Sequence, residues 1–190
     1  MTRSEDTQVT RLLNRLKDEP GAMDRLSELV YQDIHRLAHY QRFELRAGET
    51  LRTTALVHEA FLKIFRDDNW NIEDRQHLMR LMAHAIRQII VDHARRKLAK
   101  KRGAGAAHEP IDDHAVVDSS DREAASVLDM ESALERLERI DPDLAETVSA
   151  RFFAGYTADE IAEIQSVSRR TVYRDLQRAT AWLRLDMESG

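Results

Sequence analysis

Between Gly155 and Ala179 the chain spells out two short helices and the turn that joins them, and no other segment constrains its architecture as much. Thr157 stands three residues before Glu160, the spacing of a capping box in which each side chain satisfies a backbone N–H of the other residue. Ile161 and Ile164 mark the buried side of the first helix. Ser168 is placed to cap a second, whose apolar positions Val172, Leu176, Ala179 and Leu183 recur at helical spacing. Rotation away from that stripe brings Arg170, Tyr173, Arg174, Gln177 and Arg178 to the free side. Arg and Gln donate paired hydrogen bonds to base edges, and the second helix of such a motif enters the major groove N-terminus first. The segment reads as a DNA-binding helix-turn-helix; the competing reading is a helical hairpin with a solvated arginine face.

The rest of the chain points to an all-α fold. Strong helix formers dominate its 190 residues, Gly and Pro number 6 and 3, and no convincing run alternates with a strand period. With no cysteine there are no disulfides and no thiolate metal ligands, which fits a reducing cytoplasm. Met1 to Thr10 is polar, unlike a secretory leader, and no apolar run reaches membrane-spanning length. A cytoplasmic protein without a membrane partner is expected.

A net charge of −5 argues against a polyanionic partner only until its distribution is read. Residues 1–102 carry +5, residues 103–129 carry −6 and residues 130–190 carry −4. Within the first block, Arg87, Arg95, Arg96, Lys97, Lys100, Lys101 and Arg102 face only Asp92. The local field of such a cluster steers a polyanion whatever the total charge.

Two small helical domains are expected, at 8–102 and 128–187, joined by a flexible acidic linker at 103–127 containing Gly103, Gly105, Pro110 and Ser119-Ser120. In the first domain, Val9, Leu12, Leu13 and Leu16 outline one helix and Met23 to Arg46 a longer one, with Leu26, Leu29, Val30, Ile34, Leu37 and Ala38 inward. A third carries Leu56, Val57, Ala60, Phe61, Ile64 and Phe65 on its apolar side. The fourth runs from His77 to about Lys101, with Arg80, Arg87 and Arg95 looking outward. The second domain begins at Leu128, turns at Asp141-Pro142 and reaches the helix-turn-helix at Gly155; Phe61, Phe152, Phe153 and Trp182 read as core.

Catalytic signals are missing. No Gly-rich phosphate loop, nucleophile elbow or paired carboxylates in an apolar setting is visible, so no enzyme is expected. His35 and His39 have the i, i+4 spacing of zinc ligands but no third ligand beside them, so neither metal nor cofactor is expected.

Leu56-Val-His-Glu-Ala-Phe-Leu-Lys63, Ala85-Ile-Arg-Gln-Ile-Ile-Val-Asp-His-Ala-Arg95 and the helix-turn-helix, in that order, resemble the extracytoplasmic-function sigma factors over nearly the whole chain. That resemblance implies a promoter-specificity subunit, a monomer within the holoenzyme, whose partners are core RNA polymerase, through its β′ clamp helices and β subunit, and promoter DNA. The first domain would dock on polymerase and capture the melted minus-ten element; the second would read the minus-thirty-five element as duplex. Leu56, His58, Glu59 and Leu62 fall in the polymerase-docking segment. Arg87, Gln88, Asp92 and Arg95 match the family's minus-ten pattern, with Gln88 replacing an Asn, and the loop Asn69 to Gln76 would hold a flipped base. Tyr173, Arg174, Gln177 and Arg178 fall at minus-thirty-five contact positions, with Arg169 and Arg170 nearer the DNA backbone.

One departure from the family pattern is informative. Where members carry an acidic Asp-Ala-Glu-Asp run before the docking segment, this chain has Arg52-Thr53-Thr54-Ala55. A phosphate on Thr54 or Thr53 would install about −1.5 to −2 charge there. The expectation is a sigma factor switched on by a Ser/Thr protein kinase; the simpler alternative is that the threonines only begin the helix. A stand-alone helix-turn-helix regulator, dimerising through its first domain, is the competing function.

Overall fold

A computed structural model of the chain describes residues 3–16, 18–45, 47, 51–66, 71–104 and 119–189. These form eight α-helices and no strand: α1 (Arg3–Leu13), α2 (Ala22–Glu44), α3 (Thr53–Phe65), α4 (Arg75–Ala104), α5 (Ser119–Ile140), α6 (Pro142–Val148), α7 (Ala158–Ile164) and α8 (Arg169–Ser189), with a π-helical turn (Ser149–Phe153) extending α6. The all-α expectation holds.

The punctuation follows local chemistry. Gly21 takes the left-handed conformation, φ 79°, at the start of α2, where a β-carbon would be strained. Asp141 caps α6 by accepting the Leu144 N–H at 3.1 Å, with Pro142 at a position where no donor is needed. In α1 to α4 the helical apolar stripes converge on Leu26, Ile34, Leu56, Leu78, Met82, Ile86 and Ile90, all essentially inaccessible. Leu29, expected inward, is instead 36 % exposed at the edge of that stripe.

The helix α5 begins earlier than its composition suggests. Ser119 to Val127, expected to be part of a flexible tether, are the first turns of α5, and Ala124 and Val127 are buried there. Ala124, Val127, Leu134 and Leu137 continue a single helical stripe upstream of Leu128, and burial of that stripe outweighs the acidic residues on the opposite face. Residues 105–118, with Gly48, Asn69 and Trp70, lie outside the described residues.

The two expected domains share one core. A continuous apolar cluster runs from Val9 through α2, α3 and α4 to Val127, Leu134, Val148, Phe153, Ala179 and Leu183, with Phe61, Phe152 and Trp182 packed at its margin. Tyr156, Ala158, Ile161, Ala162 and Val172 make a second, smaller cluster that holds α7 against the first half of α8.

Candidate nucleic-acid and polymerase interface

The segment α7, turn and α8 is built as its residues require. Thr157 Oγ1 accepts the Glu160 N–H at 3.3 Å while Glu160 Oε2 accepts the Thr157 N–H at 2.7 Å, closing the capping box. The turn passes through Ser166 at φ 54°. Ser168 Oγ then accepts the Thr171 N–H at 3.1 Å and starts α8. Val172, fully buried, fixes the roll of that helix, leaving Arg169, Arg170, Tyr173, Arg174, Gln177 and Arg178 exposed together on one side.

Their partners are weak ones. Arg169 lies 3.4 Å from Asp159, with its guanidinium 5.5 Å above the Tyr173 ring. Arg174 and Arg178 reach Asp175 at 3.1 and 3.6 Å, and Arg178 also reaches Asp141 at 3.7 Å. Although the Asp175 carboxylate is only 19 % exposed, each of these guanidiniums is more than half exposed, so solvent screens the pairs and a phosphate or a guanine edge can displace them.

On α4 the expected residues do not all share one surface. Asp92 and Arg95 pair at 3.6 Å with both side chains more than half exposed. Gln88 is half-buried and bonds the His84 ring at 2.7 Å. Arg87, expected to look outward, turns instead toward α5: its Nε and one terminal nitrogen both lie 2.7 Å from Glu131 Oε2, and its guanidinium stacks 4.7 Å over the Phe153 ring. The helical wheel placed Arg87 off the α4 stripe correctly, but α5 covers that side. His93, half-buried on the same helix, titrates below the ordinary imidazole range, first because burial disfavours its charged form and then because Arg96 and Lys97 repel a further cation.

On α3, Leu56 is wholly buried and seats the helix, whereas His58 and Glu59 are exposed and Leu62 is 70 % exposed, an apolar side chain held out of the core. The N-cap of α3 is Arg52, in extended conformation and with no side-chain cap, so neither Thr53 nor Thr54 serves as the cap. Thr53 is half-buried, Thr54 exposed, and the first turn holds no acidic residue. Arg42 anchors the approach to this turn by donating to the Leu51 carbonyl at 3.1 Å. His35 packs its ring on Tyr31, centroids 5.9 Å apart, and His39 faces solvent.

Gln41 and Glu131 were not singled out by sequence. Gln41, with no exposed surface, donates through Nε2 to the carbonyls of Ala83 at 3.0 Å and Phe153 at 2.6 Å. Glu131 was legible only as the polar member of the α5 stripe, once that helix is known to begin at Ser119.

Arginines thus stand on α4 and α8, beside an α3 that holds Leu62 out of the core. Residues 6–189 match the ECF sigma factor family, and the chain belongs to that family. Its members bind core RNA polymerase and promoter DNA and direct transcription initiation; they are not catalysts. No curated protein matches the chain. Among the described residues, no helix is long and apolar enough to cross a membrane.

Proposed function

We propose that this sigma factor reads its minus-thirty-five element with the exposed face of α8, contacts the opened minus-ten strand with α4, and docks on polymerase through α3. The carrying observation is the side-by-side exposure of Arg169, Arg170, Tyr173, Arg174, Gln177 and Arg178 on a doubly capped helix-turn-helix. Arg174 and Gln177 have the chemistry for base edges; Arg169, Arg170 and Arg178 suit phosphates. On α4, Arg87, Gln88, Asp92 and Arg95 are the strand contacts, and on α3 His58, Glu59 and Leu62 form the docking surface over buried Leu56. It works in the cytoplasm as a monomer within the holoenzyme. Transcripts started by purified protein with core polymerase test the assignment: specific initiation is expected, lost with Arg174→Ala and weakened through polymerase binding with Glu59→Ala. Initiation at unchanged promoters by Arg174→Ala protein would reject the α8 assignment.

A second element of the proposal concerns activation. Thr54 is exposed at the start of α3, where unpaired backbone N–H groups and the helix dipole favour an anion, Arg52 is adjacent, and no carboxylate already fills the role. Phosphorylation of Thr54, or of Thr53, by a Ser/Thr kinase would restore the negative charge other members carry in sequence. Thr54→Glu or Thr53→Glu is expected to raise holoenzyme activity several-fold, and Thr54→Ala to leave it at the unmodified level. Equal, strong activity of unmodified and Thr54→Ala proteins would reject the switch.

A further inference from the structure

The segment Asn71 to Gln76, which leads into α4, alternates between anchored and presented residues. Ile72 is buried, 4 % exposed, while Asn71 and Glu73 on either side of it face solvent. Asp74 starts the helix: its Oδ1 accepts the His77 N–H at 2.7 Å, and His77 Nδ1 accepts the Glu73 N–H at 3.4 Å, a reciprocal pair like a capping box widened by one residue. Gln76 is exposed, but its carbonyl accepts from the Tyr156 hydroxyl at 3.3 Å.

Arg75, the first residue of α4, is anchored by charge. Its guanidinium donates to Asp33 on α2 and lies 3.4 Å from Asp6 on α1. The Asp33 side chain is 9 % exposed and that of Arg75 16 %, so both charges are largely withdrawn from water. Asp33 gives one oxygen to Arg75 and the other to Arg36. Two carboxylates and two guanidiniums balance, and three helices meet in them.

Stability alone does not call for such a group. Withdrawing two charges from water costs about what their attraction returns, and an apolar pair of the same volume holds helices together as well or better. What an apolar pair lacks is direction. A guanidinium bonded between carboxylates fixes the depth and azimuth of the residue that carries it, whereas apolar side chains slide over one another. We infer that the Asp33–Arg75 pair, steadied by Asp6 and Arg36, is a positioning device for the minus-ten reader: it holds Asn71, Glu73 and Gln76 where the opened strand meets them, so that base discrimination depends on it more than folding does. The inference rests on the reading of the loop from Asn69 to Gln76, with α4, as the strand-contacting element. Selective contacts tolerate displacements of only about 0.5 Å, which is why a directional anchor belongs beside them.

The test uses holoenzyme assembled from the full chain and core polymerase. Its probes are fluorescein-labelled single strands carrying the minus-ten sequence that mapped transcripts define, and the same strands with each base replaced in turn. The parent is expected to discriminate about tenfold or more at its preferred base. The paired substitution Asp33→Leu with Arg75→Met should reduce that ratio to about twofold, with a thermal midpoint at or above the parent's and unchanged binding of duplex minus-thirty-five DNA. Arg75→Lys keeps the charge and loses the fork, so its ratio should fall between the two. If the paired variant does not fold, Arg75→Lys decides, and a parental ratio in it overturns the inference. A parental ratio in a folded paired variant does the same. Equal weakening on every strand, with the ratio intact, also overturns it and makes Arg75 a phosphate contact instead. A parent that does not discriminate among single strands removes the strand reading itself, and the positioning role with it.

Discussion

The two arginine-bearing helices of this sigma factor are held in opposite ways. On α8 the guanidiniums of Arg169, Arg174 and Arg178 stand in solvent, and the first half of the helix below them rests through Val172 on a cluster of five buried residues, while Ala179 and Leu183 join its second half to the main core. On α4 the helix belongs to the main core and Arg87 is only 18 % exposed, bonded to a carboxylate that is equally shielded. The proposed duplex reader presents all its guanidiniums to solvent; of the proposed strand contacts on α4, Arg87 is covered. Duplex DNA is available before polymerase acts and opened strands only after, so the difference in presentation follows the order in which the two targets exist.

The comparison breaks most visibly at its weaker support. Ile161 is fully buried in the small cluster, and Ile161→Ala is expected to cost about 2–5 kcal/mol through lost burial and a cavity. Because that cluster is separate, amide exchange should accelerate across α7 and the first half of α8 while α2 and α4 stay protected. Uniform acceleration along the chain would mean that the two supports are not distinct.

Next in size is the difference between the two arginine faces in the free protein. Arg174→Ala should weaken binding to duplex promoter DNA by about 1–3 kcal/mol, and Arg87→Ala should leave that duplex affinity unchanged. Equal losses in titrations of both variants would erase the distinction between a presented and a covered face.

The smallest effect concerns His93. Its charged form is disfavoured in the fold, so the stability it contributes is present above the ordinary imidazole pKa of about 6.5 and is lost as pH falls below that value. Thermal unfolding of His93→Gln should therefore depend less on pH below about 6.5 than that of the parent, and a ring-proton titration of the folded protein should place His93 below its position in the urea-unfolded chain. An upward displacement would show that the surrounding cations and burial do not dominate there.

What sequence revealed and what it concealed divide by distance along the chain. The capping box of Thr157 and Glu160, the Ser168 cap and the exposed face of α8 are decided by residues three or four apart, and these were legible. The buried Phe153 and the core stripes of α3 and α4 follow from helical period alone. The roll of Arg87 was not legible, because its partner lies 44 residues away, nor was the Gln41 bond to Phe153, 112 residues away. Ser119-Ser120 and the acidic residues near them read as a tether because solvent-facing charge on an amphipathic helix looks the same as charge on a solvated coil. Only Ala124 and Val127, at the spacing of Leu134 and Leu137, carried the contrary signal.

The π-helical turn at Ser149–Phe153 sets the azimuth of everything after it. Each residue of an α-helix advances the chain by about 100°, so one wide turn in place of a regular one re-aims the exit vector by a comparable angle. Excising a single residue there would restore the ordinary pitch and swing Tyr156 off its seat on Gln76, leaving the proposed DNA reader intact but pointed away from the body that carries it.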